Sequence, residues 1–259
     1  MKKILVTGAS GQLGLTLQEL APGYPELEFD FRDSNQLDIT DTTALKQAFV
    51  RYEHSYCINC AAYTQVEEAE KHPKKAFEVN ADAVKQMAEL CLQNNVVLIH
   101  LSTDYVFDGE KGSPYYPDDE PNPINEYGKS KLEGERHIQK MLDRFYIVRT
   151  SWLYSKKYGN NFYRTILAKA RAGEVLRVTD QQTGCPTNTL SLSEFLIEKL
   201  VQGKKKFGIH HFSDGKVMTW YGFAKKILDE QKLSDKIELL AVQKYQALAP
   251  RPKKSVIMP

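Results

Sequence analysis

Thr7-Gly8-Ala9-Ser10-Gly11-Gln12-Leu13-Gly14 is the stretch from which the fold can be read. It spaces its glycines as G-x-x-G-x-x-G. Before it lies an apolar run, Lys3 to Thr7; after it, Gln12 to Leu20 repeats Leu13, Leu17 and Leu20 at helical spacing. Glycines permit a tight turn and let backbone N–H groups approach a pyrophosphate. The helix that follows points the positive end of its dipole at that phosphate. The glycine spacing alone is a weak signal, and the strand before it and helix after it are what give it meaning.

Outward from this loop the chain keeps alternating. Leu27 to Phe31 reads as a strand, Thr43 to Arg51 as a helix capped by Thr40 or Asp41, and Tyr56 to Ala61 as a third strand. Ala76 to Gln93 is a long helix with Val79, Ala83, Met87, Leu90 and Cys91 on one side, and Val96 to Leu101 is a fourth strand. Near-continuous apolar strands separated by helices predict a parallel sheet covered on both faces, and right-handed crossovers make it doubly wound. The predicted class is therefore α/β, a Rossmann-like doubly wound sheet with a smaller C-terminal α/β lobe.

Gly109 to Asn125, rich in Pro, Asp and Gly, reads as a long loop of a length that is often functional. A helix from about Glu126 to Met141 and a strand from Tyr146 to Thr150 follow. Beyond Trp152 the pattern loosens into helices at Asn160–Ala172, Ser191–Val201 and Trp220–Glu230, with short strands at Val175–Val178 and Ile209–Phe212. The division expected is a dinucleotide-binding domain over 1–150 and a mostly substrate-binding lobe over 151–259, some of whose elements pack back on the first.

The composition excludes several classes. With 259 residues and a net charge of +2, nothing marks a nucleic-acid partner. The short Lys204-Lys205-Lys206 run after Gly203 reads as a solvated turn. No apolar run is long enough to cross a bilayer, and Ile4-Leu5-Val6 stops too soon for a signal peptide. Four cysteines are too few for a disulfide scaffold and suit a reducing, cytoplasmic compartment. Cys57 and Cys60 form a C-x-x-C, but on a strand residues three apart face opposite sides, so they are read as structural.

Tyr127-Gly128-Lys129-Ser130-Lys131 places a tyrosine and a lysine one helical turn apart on the same face. A free phenol ionises near ~10, and an ammonium beside it is expected to lower that value. The phenol then gives a proton to a carbonyl oxygen while hydride attacks the carbon. Ser102-Thr103-Asp104 closes the fourth strand at its carboxyl end, where open α/β sheets bind ligands. Thr103 offers a hydroxyl to the same carbonyl, and Asp104 an acid for sugar hydroxyls. Asp30 is read as the end of the second strand, the place of a ribose-binding acid, which favours NADH. Arg32 offers a partner for the 2′-phosphate of NADPH, and both cofactors stay open.

With these residues in place the chain resembles the extended short-chain dehydrogenase/reductase family, and within it the branch acting on nucleotide-linked deoxysugars. The resemblance covers nearly the whole chain. It rests on the glycine loop, Asn59 to Thr64 (N-C-A-A-Y-T), Val79 to Ala81 (V-N-A) and Ser102 to Gly109 (S-T-D-Y-V-F-D-G). It continues through Tyr127 to Glu135 (Y-G-K-S-K-L-E-G-E), Arg149 to Tyr154 (R-T-S-W-L-Y), Gly159 to Phe162 (G-N-N-F), Asp180 to Thr187 (D-Q-Q-T-G-C-P-T) and Arg251 to Ser255 (R-P-K-K-S). It implies Tyr127 as proton donor, Lys131 on the nicotinamide ribose and Thr103 on the carbonyl. Gly8, Gly11, Gln12, Leu13 and Gly14 would line the pyrophosphate. Asp30, Asp38 and Ile39 would frame the adenosine, and Ala62, Tyr63 and Thr64 the nicotinamide side. Thr103, Asp104 and Trp152 would meet the sugar nucleotide, although Trp152 also reads as a core aromatic. The implied reaction is hydride transfer from NADPH or NADH to C4 of dTDP-4-dehydro-β-L-rhamnose.

Two departures carry expectations of their own. Some relatives bridge a dimer through glutamates and magnesium, but Leu15 and Thr16 stand where the glutamate after the glycine loop is expected. No metal is expected, and a homodimer is left open. Relatives also continue past R-P-x-x-S into another helix whereas this chain stops at Pro259, which is expected to leave the substrate lobe incompletely supported. Tyr105 after Thr103-Asp104 disfavours a dehydratase, whose elimination needs a second carboxylate there. An epimerase, and a non-catalytic regulatory subunit resembling the methionine adenosyltransferase β-subunit, remain as alternatives.

Overall fold

The structure is a computed structural model that describes every residue except 204 and 244–246, together with all side chains of helices and strands but that of Tyr52. The Lys204-Lys205-Lys206 run therefore begins outside the described residues, while Lys205 and Lys206 are exposed.

β1 (Lys2–Thr7), β2 (Leu27–Arg32), β3 (Tyr56–Asn59), β4 (Val97–Thr103) and β5 (Phe145–Thr150) lie parallel. A late strand, Gly208–Phe212, joins β5, and its order in the six-stranded sheet is Gly208–Phe212, β5, β4, β3, β1, β2. Side chains alternate between two buried layers. Leu5, Cys57 and Leu98 enter one; Ile4, Val6, Ile58, Val97 and Ile99 enter the other. The first layer is closed by α2 (Thr42–Tyr52) and by α5 (Ala83–Gln93), which follows the short helices α3 (Val66–Lys71) and α4 (Pro73–Phe77). The second is closed by α1 (Gln12–Leu20) and by Thr189–Val201, whose second half is a π-helix. Asp41 caps α2, accepting from the backbone of Thr43 and Ala44 at 2.9 and 3.0 Å.

The chain order reverses between β1 and β3, the switch point where such sheets bind ligands. Gly8 turns there with φ +64, and a side-chain carbon on it would lie 2.6 Å from the Ala61 nitrogen. The glycine loop thus presses directly on the exit of β3.

A second core gathers Tyr154, Tyr163, Ile166, Leu176, Phe223 and Ile227, all from the later chain. It includes the helices Phe162–Arg171 and Trp220–Glu230 and the strand pair Leu176–Thr179 with Leu239–Val242. That last strand is absent from the sequence reading. β3 ends two residues earlier than expected, leaving Cys60 beyond it, and all four cysteines are free. Cys57 and Cys60 nonetheless pack into opposite layers. The loop from Gly109 to Asn125 does not line the main cleft. Instead Tyr115 is buried, stacks on Phe107 at 4.2 Å and bridges to Ile257. Its role here is to hold residues 256–258 against the sheet.

Candidate active site

A cleft of about 510 Å³ opens over the carboxyl ends of β1, β3 and β4. Gly8, Gly11, Gln12, Leu13 and Gly14 line one side. Ala62 and Thr64 follow, then Thr103, Asp104, Tyr127 and Lys131, and Trp152 on the far side. Sequence elements separated by more than a hundred residues therefore share one wall. Asp30, Asp38, Ile39 and Tyr63 do not join that lining. Ile39 is buried in the first core layer, and Asp38 accepts from the backbone and hydroxyl of Thr40. The Tyr63 backbone is clamped by Asn80, while its ring lies under the Lys75 ammonium.

Asp30 needs a correction. β2 runs on to Arg32, so Asp30 sits opposite Leu5 inside the strand, and Arg32 is the residue level with Thr7. The Asp30 carboxylate is gripped by Arg32 at 2.6 Å and by His54 at 3.2 Å. Arg32 carries the ion pair at the strand end, next to the loop whose Ala9 N–H it accepts.

Gln12 and Leu13 reach the cleft without offering side chains to a phosphate. Leu13 points into the second core layer. The Gln12 carboxamide donates to Leu153 O and accepts from Ser155 N and Asn161 Nδ2, stitching the glycine loop to the later chain. What remains is the start of α1. Gly11 provides no side-chain cap, and the first turn carries no acid. Open N–H groups at a helix start suit a pyrophosphate. Thr150 Oγ1, buried in the same wall, has no hydrogen-bond partner among the described residues. These features fit a dinucleotide.

The helix α6 (Glu126–Met141) positions the phenol and the lysine. Asn125 caps it by accepting from Gly128 N at 2.7 Å. Asn80, in the π-helical turn Glu78–Asp82, donates to Ser130 Oγ and Tyr63 O and fixes the helix against the loop that follows β3. The Tyr127 hydroxyl is hydrogen-bonded to Thr103. Burial pushes the phenol above its ordinary value; the bond to Thr103 pulls down, and Asp104 adds to the rise. This reverses the expectation that Lys131 lowers it. Lys131 is 1% exposed and directs its Nζ to His100 Nε2 at 3.1 Å. Burial lowers the lysine to about 8, against the opposing field of Glu135.

Asp104 is also buried. Its carboxylate accepts from Thr103 at 3.2 Å, Ser151 at 3.0 Å and Ser255. Burial raises it to about 6, and the three hydroxyls restrain the rise. Trp152 adopts φ +48, a backbone region unusual for a large residue and often found at binding sites. Its ring stacks on Trp220 at 3.5 Å and 6°, and Gly184 lies so close beneath that a side-chain carbon there would come within 2.6 Å of the indole. Trp152 is thus both a cleft wall and a partner of the second core. Trp220, Asn160 and Thr150 line the cleft but escaped the sequence reading. The signal for Trp220 was only its aromatic character, 68 residues from its partner. Among the described residues no cluster of three or more His, Cys, Asp or Glu could hold a metal, and no helix is long and apolar enough to cross a membrane.

Comparison with known proteins gives the same picture from outside. The chain is 38% identical to a dTDP-4-dehydrorhamnose reductase of Aggregatibacter actinomycetemcomitans, covering 99% of this chain and 90% of that one. It is 36% identical to the spore coat polysaccharide biosynthesis protein SpsK of Bacillus subtilis, covering 99% and 89%. A crystal structure of dTDP-4-dehydrorhamnose reductase from Bacillus anthracis in complex with NADP superposes with a TM-score of 0.94 at 37% identity, covering 100% and 91%. A family model described as the RmlD substrate binding domain matches residues 1–258. On that match, which leaves one residue uncovered, the chain belongs to the RmlD substrate binding domain family.

Proposed function

We propose that this chain is an NAD(P)H-dependent oxidoreductase that reduces the C4 keto group of dTDP-4-dehydro-β-L-rhamnose to give dTDP-L-rhamnose. The observation that carries the reading is the hydrogen-bonded pair Tyr127–Thr103 in one cleft with Lys131 and the glycine loop. A reduced nicotinamide bound in the cleft supplies the hydride. Tyr127, held protonated by its surroundings, gives its proton to the carbonyl oxygen. Thr103 orients that oxygen by its hydroxyl. Lys131 holds the nicotinamide ribose, Asp104 the sugar hydroxyls, and Trp152 flanks the sugar nucleotide. The open start of α1 with Gly8, Gly11 and Gly14 takes the pyrophosphate, and Ala62 and Thr64 border the nicotinamide. We assign sugar-nucleotide recognition to the later lobe, around the second core. Four free cysteines suit a reducing compartment, and we assign the reaction to the cytosol.

The test is loss of NADPH or NADH absorbance on adding the dTDP-linked 4-keto sugar. Turnover is expected, falling on the order of 10²–10⁴-fold in Tyr127→Phe. Undiminished turnover in that variant removes Tyr127 from the mechanism, and no turnover in the wild type with either cofactor overturns the reading.

A further inference from the structure

Behind the cleft wall runs a chain of three hydrogen bonds. Asn59 Oδ1 accepts from the Ala61 backbone nitrogen at 3.1 Å. Asn59 Nδ2 meets His100 Nδ1 at 3.1 Å, and His100 Nε2 meets Lys131 Nζ at 3.1 Å. Asn59, His100 and Lys131 are each no more than 1% exposed. The direction of every bond follows from one end. A backbone N–H only donates, so the carboxamide oxygen must face Ala61, where it also accepts from Thr7 Oγ1 at 2.7 Å. The carboxamide nitrogen only donates, so His100 Nδ1 is the bare nitrogen. Burial keeps this imidazole neutral, with one proton. That proton sits on Nε2 and points at Lys131. An amine has a lone pair to receive it, whereas an ammonium has none.

We propose that Asn59 and His100 favour the free amine of Lys131 over its ammonium in the cofactor-free protein, and that Lys131 can take a proton only if His100 exchanges tautomers. Charging Lys131 sets donor against donor at Asn59 Nδ2. Turning the carboxamide over only moves the conflict to Ala61. The other groups around Lys131 do not remove it. Glu135, one turn on along α6, favours the ammonium, but its carboxylate is taken by Arg149 of β5 and Ser102 of β4. Tyr127, one turn back, is bonded to Thr103, and Asp104 beyond β4 acts on Tyr127. The lysine's own burial works in the same direction as the chain of bonds. If the reductase reading holds, Asn59 and His100 are positioning residues: through Lys131 they set the charge that stands beside Tyr127.

The test is NMR of the full cofactor-free chain, with ¹⁵N-labelled histidine and ¹³Cε-labelled lysine assigned through Lys131→Met and His100→Gln. In the wild type Lys131 is expected to titrate below the other lysines, and above that titration His100 is expected as the Nε2–H tautomer. Asn59→Asp presents an acceptor to both neighbours. His100 is expected to switch to Nδ1–H, and Lys131 to titrate at least one pH unit higher, tenfold in proton affinity. Added negative charge alone would raise the lysine without switching the tautomer. An Nδ1–H tautomer in the wild type above the titration of Lys131, a Lys131 titrating with the surface lysines, or an unchanged tautomer in Asn59→Asp overturns the proposal. Should that variant not fold, the wild-type tautomer decides by itself. No substrate is used, so this result and the reductase assay can fail separately.

Discussion

Two basic side chains are buried near the same glutamate, and they are answered in opposite ways. Arg149 on β5 meets Glu135 through Nη2 at 2.7 Å and Nε at 3.1 and 3.2 Å, with Ser102 donating to the same carboxylate at 2.5 Å. Its charge is neutralised and its geometry saturated. Lys131 on α6 faces a neutral imidazole, and the carboxylate that could pair with it is already occupied. A buried charge with a full partner serves the architecture: it ties α6 to β4 and β5. A buried titratable group without one is poised to change state, which is where chemistry concentrates. Asp104 is the acidic counterpart of Lys131, answered by three hydroxyls and its own backbone N–H.

The contrast can be broken by removing partners. Glu135→Gln strands the Arg149 charge in the interior, and a loss of about 3–5 kcal/mol is expected in denaturant unfolding. A loss under about 1 kcal/mol would show that Arg149 finds other compensation and would erase the contrast. Asp104→Asn is expected to do the reverse. The folded carboxyl ionises near 6 and the unfolded one near 3.8. The wild type therefore has its full stability below about 3.8 and loses it as the pH rises through 6. Above that, the variant should be the more stable by on the order of 3 kcal/mol, with equality at pH 3.5. Equal melting across pH 4–8 would mean that the three hydroxyls fully replace water. Lys131→Met should change stability by no more than about 1 kcal/mol, since it removes a desolvated amine and leaves one imidazole N–H without its partner. A severe loss would place Lys131 with Arg149 as a structural cation.

Much of this was legible in the sequence. The parallel sheet followed from apolar runs whose burial on both faces leaves no polar alternation to find. The glycine loop, Thr103, Tyr127 and Lys131 could be read because each is fixed by local spacing at a strand end or a helix start. What was missed depends on contacts without a local signature. Asn59 and His100 meet across adjacent strands 41 residues apart, inside runs that look merely apolar. Trp220 reaches Trp152 through the later lobe, whose strands of two to four residues carry no period. Asp30 was misplaced because β2 runs two residues past it, to the charged Arg32. The loop at Gly109–Asn125 was given a role by its length, although Tyr115 within it is 4% exposed.

The bond from Ser255 to Asp104 has a consequence for how the protein comes into being. Thr183 donates through its backbone N–H to Lys253 O and accepts from Ser255 N–H, while Tyr115 donates to Val256 O and accepts from Met258 N–H, so residues 253–258 close over the aspartate from behind. Domains begin to fold from their N-terminal side during synthesis. A nascent chain can thus complete its sheet and glycine loop while Asp104 still lacks its third hydroxyl. The pocket is finished only after Ser255 has left the ribosome, so premature termination upstream of it yields a folded sheet with an unsealed centre.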